Sequence, residues 1–489
     1  MKSGRIKIKV FTVILIAGLF LCCGLLFAAN ITGEEWLNVY LLGKKVGYGY
    51  TSTKEAVYNG EDCYEEVSYI MIKMNRGGAE LVSTSNSKAY VKKDFTPIYF
   101  KSNEKLSNIE KNTEGKIENK KLKIKVTLGD QTSETEMYFP ENTYLDDSLS
   151  DVIKSRGIRK GDEYKLNIFL KEAMKIIEIK VKVLGKEKVK IKDKEVYGTR
   201  IDSDVLGIII STVVDEDYRV LRSEYKDVGM VLEKATKEEA MSIPEITSEE
   251  DILAASSIES NVKFDKQYIK KLKIRIKHPD ISRVRENLSE KGRQKFTDPD
   301  ILEIDSGGFK EEKALSLPMK LNAENIKFVE STFYEQSIDK DIIKKANEIK
   351  GDEKNSYMVA KKVMEWVNKN VNKKNFNVGF AGAKEVLSKK EGDCTEHSVL
   401  MSALLKALGI PTKVVGGVVY FNGRFYYHMW VKVFVGEWIS MDPTLNQSPV
   451  DATHIKLAEG ILNEEGLVDI CIGLLPSLKT MSIEVIEYE

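Results

Sequence analysis

The chain has 489 residues, of which 42% are hydrophobic and 31% charged, and this composition is typical of an ordered globular protein with room for two or three domains. Lysine plus arginine equals aspartate plus glutamate at 75 residues each, so no net charge attracts nucleic acid. The five cysteines exclude a disulfide framework but leave a single Cys63–Cys471 bridge open.

The N-terminus predicts a membrane anchor. Basic residues precede an almost uninterrupted apolar run from Val10 to Ala29, which at about 1.5 Å per residue is long enough to cross a bilayer as a helix. The residues before Asn30 fit a signal-peptide cleavage site only weakly. We therefore interpret residues 1–30 as an uncleaved transmembrane anchor rather than a signal peptide, with the bulk of the chain outside the cytoplasm because the basic end stays inside. If the segment is cleaved, we expect a secreted protein.

The sequence of residues 31–234 predicts a β-rich extracytoplasmic domain. Apolar and polar residues alternate from Leu122 to Leu128 and from Ile177 to Val183, as in strands with one buried face. Gly129-Asp130 and Gly185-Lys186 are expected turns. The lysines alternate with apolar residues instead of clustering with aromatic ones, which favours a solvated strand face over a nucleic-acid surface.

Residues 235–330 are predicted to form a linker and an irregular lead-in with short strands. The composition becomes acidic and small between Ala235 and Glu259, as expected of a linker. The alternation from Leu272 to Ile276 indicates one strand. The last predicted domain covers residues 331–489, and the helical pattern from Val359 to Val371 indicates its lead helix.

A cysteine lies at the predicted start of the next helix. Apolar residues recur at helical spacing from Thr395 to Leu408, and Gly409 with Pro411 is a stop signal. Cys394 therefore lies where unpaired backbone amides and the helix dipole stabilise an anion. This position favours a reactive thiolate over an inert core cysteine.

Three strands are predicted after this helix. Val414 to Tyr420 and Arg424 to Val435 flank Asn422-Gly423, a strong hairpin signal, and a third strand runs from Trp438 to Met441. The expected turns place His428 directly opposite Asp442 on one side, at a distance suited to a carboxylate that orients an imidazole. On the other side they place His428 opposite Gly417, leaving a gap through which the Cys394 helix end would approach the ring.

Several motifs in this region resemble the bacterial transglutaminase-like superfamily. They are Gly392-Asp393-Cys394-Thr395-Glu396-His397, Leu408-Gly409-Ile410-Pro411, Tyr427-His428-Met429-Trp430, Asp442-Pro443-Thr444 and Asp451-Ala452-Thr453-His454-Ile455. The resemblance implies an α+β fold with a papain-like core at the C-terminus, in which a helix bearing cysteine packs on an antiparallel sheet bearing histidine and aspartate. It further implies the following catalytic roles: Cys394 as nucleophile, His428 as general base and acid, and Asp442 as orienting carboxylate.

The oxyanion hole is only partly predicted. Papain-type enzymes have a glutamine shortly before the cysteine, but residues 388–392 contain none. The Cys394 backbone amide is the expected first donor, and the second donor is left open.

Two other readings of these residues are open. Cys394 and His397 have C-x-x-H spacing, and His428, Asp442 and His454 would complete a metal shell. The chain lacks a second closely spaced ligand pair, so we expect no metal and no cofactor. The alternative is a transglutaminase-like fold that acts as a non-catalytic binding or scaffolding module. His397 and His454 have no assigned role, and Glu396 is interpreted as a first-turn carboxylate that the helix dipole favours.

These observations predict an extracytoplasmic cysteine acyl-transfer enzyme. A Cys-His-Asp set supports attack on an amide bond of a peptide or protein and passage through a thioester. Water would then make the enzyme a protease or amidase, and a lysine amine would make it a transglutaminase; the three residues serve both outcomes. The expected partners are a peptide or protein substrate of the cell envelope and the membrane, with no nucleic acid.

Overall fold

The computed structural model describes residues 33–76, 79–106, 109–129, 131–192, 194–244, 256–371, 381–474, 477 and 480–489. These residues form two compact units, which divide between residues 244 and 256. None of the helices in these ranges is both long and apolar enough to span a membrane. The predicted anchor, residues 1–30, lies outside the described residues and stays a prediction.

The first unit is β-rich, as predicted. Its strands are β1 Gly33–Leu41, β2 Lys44–Tyr58, β3 Glu61–Arg76, β4 Ala79–Val91, β5 Pro97–Leu106, β6 Ile109–Glu118, β7 Lys121–Leu128, β8 Gln131–Tyr138, β9 Thr143–Leu145, β10 Glu163–Leu170, β11 Lys175–Ile191, β12 Lys194–Val205, β13 Ile208–Val214, β14 Val220–Tyr225 and β15 Met230–Ala235. Two helices accompany them, α1 Leu149–Arg156 and α2 Lys237–Met241.

These strands form one sheet in which chain neighbours pair, except β8 and β9, which lie at its two ends. The order runs from β8 back to β1, then to β15 and back to β9, so the first and last strands of the unit pair at its middle. Burial alternates along β7 and along the first half of β11, because successive side chains of a strand point to opposite faces. This alternation confirms the strands predicted there.

The predicted turn at Gly185-Lys186 is wrong. Both residues lie within β11, and the pairing of β11 with β12 shifts register between Val183 and Gly185. Gly185 has a φ of +100°, a conformation that favours glycine. A bulge therefore uses the glycine to bend a continuous strand, whereas the sequence pattern alone resembles a break between two strands.

The second unit mixes helices and strands. Its strands are β16 Ile258–Glu259, β17 Lys271–Lys277, β18 Gln294–Phe296, β19 Ile301–Asp305, β20 Thr412–Phe421, β21 Arg424–Phe434, β22 Trp438–Met441, β23 Ile455–Gly460 and β24 Ser482–Tyr488. Its helices are α3 Ile281–Leu288, α4 Ala323–Ile326, α5 Lys340–Lys350, α6 Ser356–Asn370, α7 Ala383–Lys389, α8 Cys394–Ala407 and α9 Glu464–Leu474.

A five-stranded sheet positions the predicted site. Its order is β16-β21-β20-β23, and β22 pairs with β21. Helix α8 packs against β20 and β21, and α5, α6 and α7 pack against α8. The helix predicted from Thr395, the hairpin at Asn422-Gly423 and the lead helix from Val359 are confirmed.

A second sheet, of order β18-β19-β17-β24, also belongs to this unit. The strand predicted from Leu272 to Ile276 is confirmed as β17, the partner of the C-terminal strand β24. Short strands were expected in this lead-in, and the structure assigns them to the sheets: β16 forms an edge of the site sheet, and β18 and β19 extend the second sheet. Their short length and mixed polarity hide them from pattern analysis.

No disulfide joins the described cysteines. Cys63, Cys394 and Cys471 are all buried thiols, so the Cys63–Cys471 bridge left open by the sequence is absent.

Candidate active site

Cys394 is the first residue of α8, and its backbone is held by a capping box. The Asp393 side chain accepts a hydrogen bond from the Thr395 amide at 2.8 Å, and the Glu396 side chain accepts one from the Asp393 amide at 2.9 Å. Gly392 precedes the cap with a φ of +148°, and a Cβ there would clash with the Glu396 side chain. Glu396 therefore completes the capping box at the start of α8. The sequence predicted only that its charge would be favourable in the first turn.

His397 has a local role in the same turn. Its Nδ1 lies 2.5 Å from the carbonyl oxygen of Asp393 and donates to it, since a carbonyl only accepts. The ring is buried. His397 thus braces the helix end that carries Cys394.

His428 lies in the middle of β21 and is fully buried. The strand pairs His428 with Gly417, as predicted. The predicted gap over Gly417 is wrong, because a Cβ there would meet the carbonyl oxygen of Ile455 and, at 2.6 Å, the Trp430 ring. Strand β23 and the indole fill this space.

Asp442 follows the end of β22. The pairing joins Val431 to Met441 and Phe434 to Trp438, so the predicted register is wrong by two residues and Asp442 is diagonal to His428 instead of directly opposite. The side chains still meet, with His428 Nε2 2.7 Å from Asp442 Oδ2. Diagonal neighbours on a sheet lie within reach of an aromatic ring such as that of His428.

The Asp442 carboxylate accepts four N–H groups. Its Oδ1 accepts from the amides of Thr444 at 2.7 Å and Leu445 at 3.0 Å, and its Oδ2 lies 2.7 Å from His428 Nε2 and 3.1 Å from His454 Nε2. Burial alone would raise the Asp442 pKa, but the charge and hydrogen bonds of the two histidines outweigh it and hold the pKa well below its usual range. Asp442 is therefore a carboxylate at neutral pH.

This carboxylate fixes the tautomer of His428. An ionised carboxylate only accepts hydrogen bonds, so Nε2 carries the proton and the lone pair of the neutral ring lies on Nδ1. Within the described ranges Nδ1 is buried and has no hydrogen-bond partner. The Trp430 ring stacks beside His428, with centroids 6.1 Å apart. The imidazole is thus oriented with one nitrogen available as a base.

His428, Asp442 and His454 are also the described residues with enough nearby donor atoms to hold a metal ion, all within 4.8 Å of one another. This group includes neither Cys394 nor His397, unlike the metal shell considered from the sequence. Zinc needs lone pairs about 2.0–2.2 Å from one point, whereas both Nε2 atoms point N–H groups at Asp442. The arrangement fits a hydrogen-bond chain better than a metal centre.

The stretch that contains these residues is similar to a known protein family. Residues 343–443 match the family model described as the transglutaminase-like superfamily, and this stretch contains Cys394, His428 and Asp442. The chain carries a transglutaminase-like domain. The resemblance read from the sequence motifs is thereby confirmed for this domain.

Solved structures that are similar to parts of the chain include the following two. A "putative cysteine protease" from Cytophaga hutchinsonii is 17% identical and aligns over 46% of this chain and 90% of its own, with a TM-score of 0.30. A beta-barrel-like protein from Brucella abortus, from a domain family of unknown function, is 12% identical and aligns over 42% of this chain and 95% of its own, with a TM-score of 0.30. The comparison with curated proteins gave no match.

Sequence reasoning left His454, which lies after the matched stretch, without a role. The structure brings it to the same carboxylate oxygen as His428, with Asp451 on its other ring nitrogen at 3.0 Å. The short spacing between Asp451 and His454, directly before an apolar strand, could have indicated that the two side chains interact. The sequence alone could not connect this pair to the candidate site, because nothing in it places the loop beside Asp442.

Proposed function

We propose that the transglutaminase-like domain is a cysteine-dependent acyl-transfer enzyme that cleaves or exchanges amide bonds of peptides or proteins. Cys394 is the nucleophile, His428 the general base and acid, and Asp442 the carboxylate that orients His428. The observation that carries the proposal is the His428 ring, which an ionised Asp442 holds through Nε2 while Nδ1 stays without a partner among the described residues. This is the state required of a base that accepts a thiol proton.

The position of the thiol supports the same role. Cys394 opens α8, and α8 packs against β21, the strand that carries His428. A helix N-terminus stabilises negative charge, and a neighbouring imidazolium adds to this effect. Both features favour the thiolate that the reaction needs.

The first half of the reaction forms a thioester. The Cys394 proton passes to His428 Nδ1, and the sulfur attacks the amide carbonyl carbon to form a C–S bond and a tetrahedral oxyanion. When the oxyanion collapses, the C–N bond breaks and His428 returns its proton to the leaving amine. Asp442 stays ionised throughout and stabilises the imidazolium.

The second half of the reaction decides the class of enzyme. Water or a lysine amine loses a proton to His428 and attacks the thioester carbonyl, the C–S bond breaks, and the thiol is restored. Water yields a carboxylic acid, as in a protease or amidase, and the amine yields a new amide, as in a transglutaminase. We include both in the proposal because the three residues serve both.

The proposed setting is the outer side of a membrane. The basic and apolar residues 1–30 support an anchor with the remaining chain outside the cytoplasm. The substrate is then a peptide or protein of the cell envelope. The neutral overall charge gives no support to a nucleic-acid partner.

The test is the rate at which iodoacetamide alkylates Cys394 as pH is varied, measured on the full chain in detergent by mass spectrometry of the Cys394 peptide. We expect alkylation of the wild type well below the pH at which a free thiol ionises, about 8.5, and its loss in His428→Ala. His278→Ala, in a half-exposed histidine outside the site, is the matched control and should behave like the wild type.

Cys63 provides an internal control in the same digest. Burial raises the pKa of its thiol, so it should resist alkylation while the protein is folded. Reaction of Cys63 in His428→Ala would reveal unfolding of the chain instead of loss of the base. If wild-type Cys394 reacts no faster than a free thiol while Cys63 stays protected, the enzyme proposal fails and the domain is a binding module.

A further inference from the structure

His454 lies beside Asp442 but has no role in the three-residue mechanism. It directly precedes β23 and is fully buried. Its Nε2 is 3.1 Å from Asp442 Oδ2, and its Nδ1 is 3.0 Å from Asp451 Oδ1. Four side chains therefore form one buried chain of hydrogen bonds, in the order Asp451, His454, Asp442 and His428.

Counting donors and acceptors fixes the protonation of His454. Carboxylate oxygens only accept, so each ring nitrogen of His454 must carry a proton. Asp451 Oδ1 accepts two further bonds, from the Thr453 amide at 3.0 Å and the Thr453 hydroxyl at 2.6 Å, which favour its ionised form. A histidine that donates at both nitrogens is an imidazolium.

The electrostatics agree with this count. Burial alone would lower the His454 pKa, but its hydrogen bonds to Asp442 and Asp451 and their charges outweigh burial and raise the pKa. Burial would likewise raise the Asp451 pKa, but the hydrogen bond and charge of His454 lower it. The two carboxylates and the imidazolium between them therefore stabilise one another's charged forms.

Asp451 is itself held firmly. The buried Arg293 donates from Nη2 to the Asp451 carbonyl oxygen at 2.7 Å, and the Asp451 amide donates to Gln447 Oε1 at 3.2 Å. The position of Asp451 thus sets that of His454, and His454 sets one oxygen of Asp442. The other oxygen of Asp442 is set by backbone amides.

We propose that His454 is a positioning residue: held as an imidazolium between Asp451 and Asp442, it fixes the carboxylate that orients His428. This inference rests on the proposed function, because it assigns His454 a part in preparing the base for Cys394. His454 touches no reacting atom and acts through Asp442. Its charge also offsets one carboxylate, so Asp442, Asp451 and His454 together present a net charge near −1 to His428.

The first experiment reads the protonation of His454 directly and needs no active enzyme. The full chain, labelled with ¹⁵N only at its four histidines, is studied by solid-state NMR at neutral pH, and single His→Gln variants assign the signals. We expect both ring nitrogens of His454 to be protonated. A bare ring nitrogen on His454 in the wild type would overturn the proposal, whatever the activity.

The second experiment uses the pH profile of Cys394 alkylation by iodoacetamide. His454→Gln keeps one donor toward Asp442 but carries no charge. We expect the rate at neutral pH to fall about tenfold, a part of the roughly 10²–10⁴-fold that a well-placed base supplies. The pH profile of alkylation should move to higher pH, because the positive charge that offsets one of the two carboxylates beside the site is then absent.

Asp451→Asn is the conservative partner variant: it removes a negative charge with the side-chain shape retained and should move the profile in the opposite direction, to lower pH. His278→Gln is the control and should change neither rate nor profile. A lowered rate with an unmoved profile in both site variants would mean that His454 only packs, and the proposal would fall. If alkylation of the wild type does not depend on His428, the proposed enzyme function fails, while the NMR result still decides the charge of His454.

Discussion

At the scale of single residues, the Asp442 carboxylate has a stricter role than its distance to His428 suggests. One of its oxygens is bound by two backbone amides and the other faces two imidazole nitrogens. Rotation of the carboxylate would break all four bonds. His428 is therefore oriented by a group that is itself unable to turn, which is the requirement for a base that must keep one tautomer.

Asp442→Asn tests this role. The amide oxygen can still accept one hydrogen bond from an imidazole, but the negative charge that stabilises a protonated His428 is lost. We expect the alkylation rate of Cys394 at neutral pH to fall by at least about tenfold and not to vanish, since a positioned base contributes 10²–10⁴-fold. The measurement is iodoacetamide kinetics with Cys63 protection as the test of folding. A rate equal to that of the wild type would show that Asp442 does not orient or stabilise His428.

The positions of two candidate site residues in the fold could be predicted because each stands in an informative local context. Cys394 follows a helix-start pattern and His428 lies within a hairpin strand. His454 could not be assigned, because its meaning depends on Asp451 and Asp442, which reach it through a loop. A loop has no periodicity from which such a contact can be read.

At the scale of elements, the sequence predicted which helices and strands form better than it predicted how the strands pair. The helix at Cys394 and the hairpin at Asn422-Gly423 are confirmed, because capping and turn residues act over a few positions. The pairing of β21 with β22 was wrong by two residues, since the turn at Gly436 lies one residue beyond the expected centre. A turn centre that shifts by one residue changes every pair by two.

The β20 strand offers a matched pair of glycines for a stability test. A Cβ on Gly417 would clash with the Ile455 backbone and lie 2.6 Å from the Trp430 ring, whereas one on Gly416 would meet only the side-chain ends of Leu474 and Ile470, at 3.0 and 3.1 Å. Backbone atoms cannot yield as side chains do. We expect Gly417→Ala to lower the free energy of unfolding by about 2 kcal/mol or more and Gly416→Ala by much less.

Urea unfolding of the full chain, followed by tryptophan fluorescence, measures both changes. Gly417→Ala should also slow alkylation of Cys394, because the displaced Trp430 ring stacks on His428. Equal destabilisation by the two alanines would show that β23 moves away freely, and the close approach of Ile455 to Gly417 would then not constrain the site.

At the scale of the whole molecule, burial affects individual carboxyl groups in two different ways. In the transglutaminase-like domain, histidines hold the pKa of Asp442 well below its usual range. In the β-rich unit, burial raises the pKa of Glu66 to about 8 and that of Asp151 to about 7, although Ser148 and Thr53 respectively donate hydrogen bonds to them. Asp442 therefore stabilises its unit in the ionised form, whereas Glu66 and Asp151 resist ionisation in the folded protein.

The sign of the pH effect follows from proton binding. Between pH 5 and 8, unfolded Glu66 is ionised while folded Glu66 keeps its proton, so the unfolded chain binds fewer protons and stability falls as pH rises. Each such group contributes a slope of about 1.4 kcal/mol per pH unit until the pH passes its folded pKa. The contribution of Asp442 is instead lost only as pH falls far into the acid range. We therefore expect the β-rich unit to weaken from pH 5 to pH 8 while Asp442 continues to stabilise the other unit.

Glu66→Gln isolates one of these groups, because glutamine keeps an oxygen for the Ser148 hydroxyl, which donates to Glu66 at 2.6 Å, and cannot ionise. Calorimetric unfolding of the full chain should show the variant close to the wild type at pH 5 and more stable by a few kcal/mol at pH 8, with a shallower pH dependence. Glu216→Gln, in an exposed turn of the same unit, is the control and should leave the slope unchanged. Identical slopes in Glu66→Gln and the wild type would mean that Glu66 is ionised in the folded protein, and burial would then not govern the pH response of the β-rich unit.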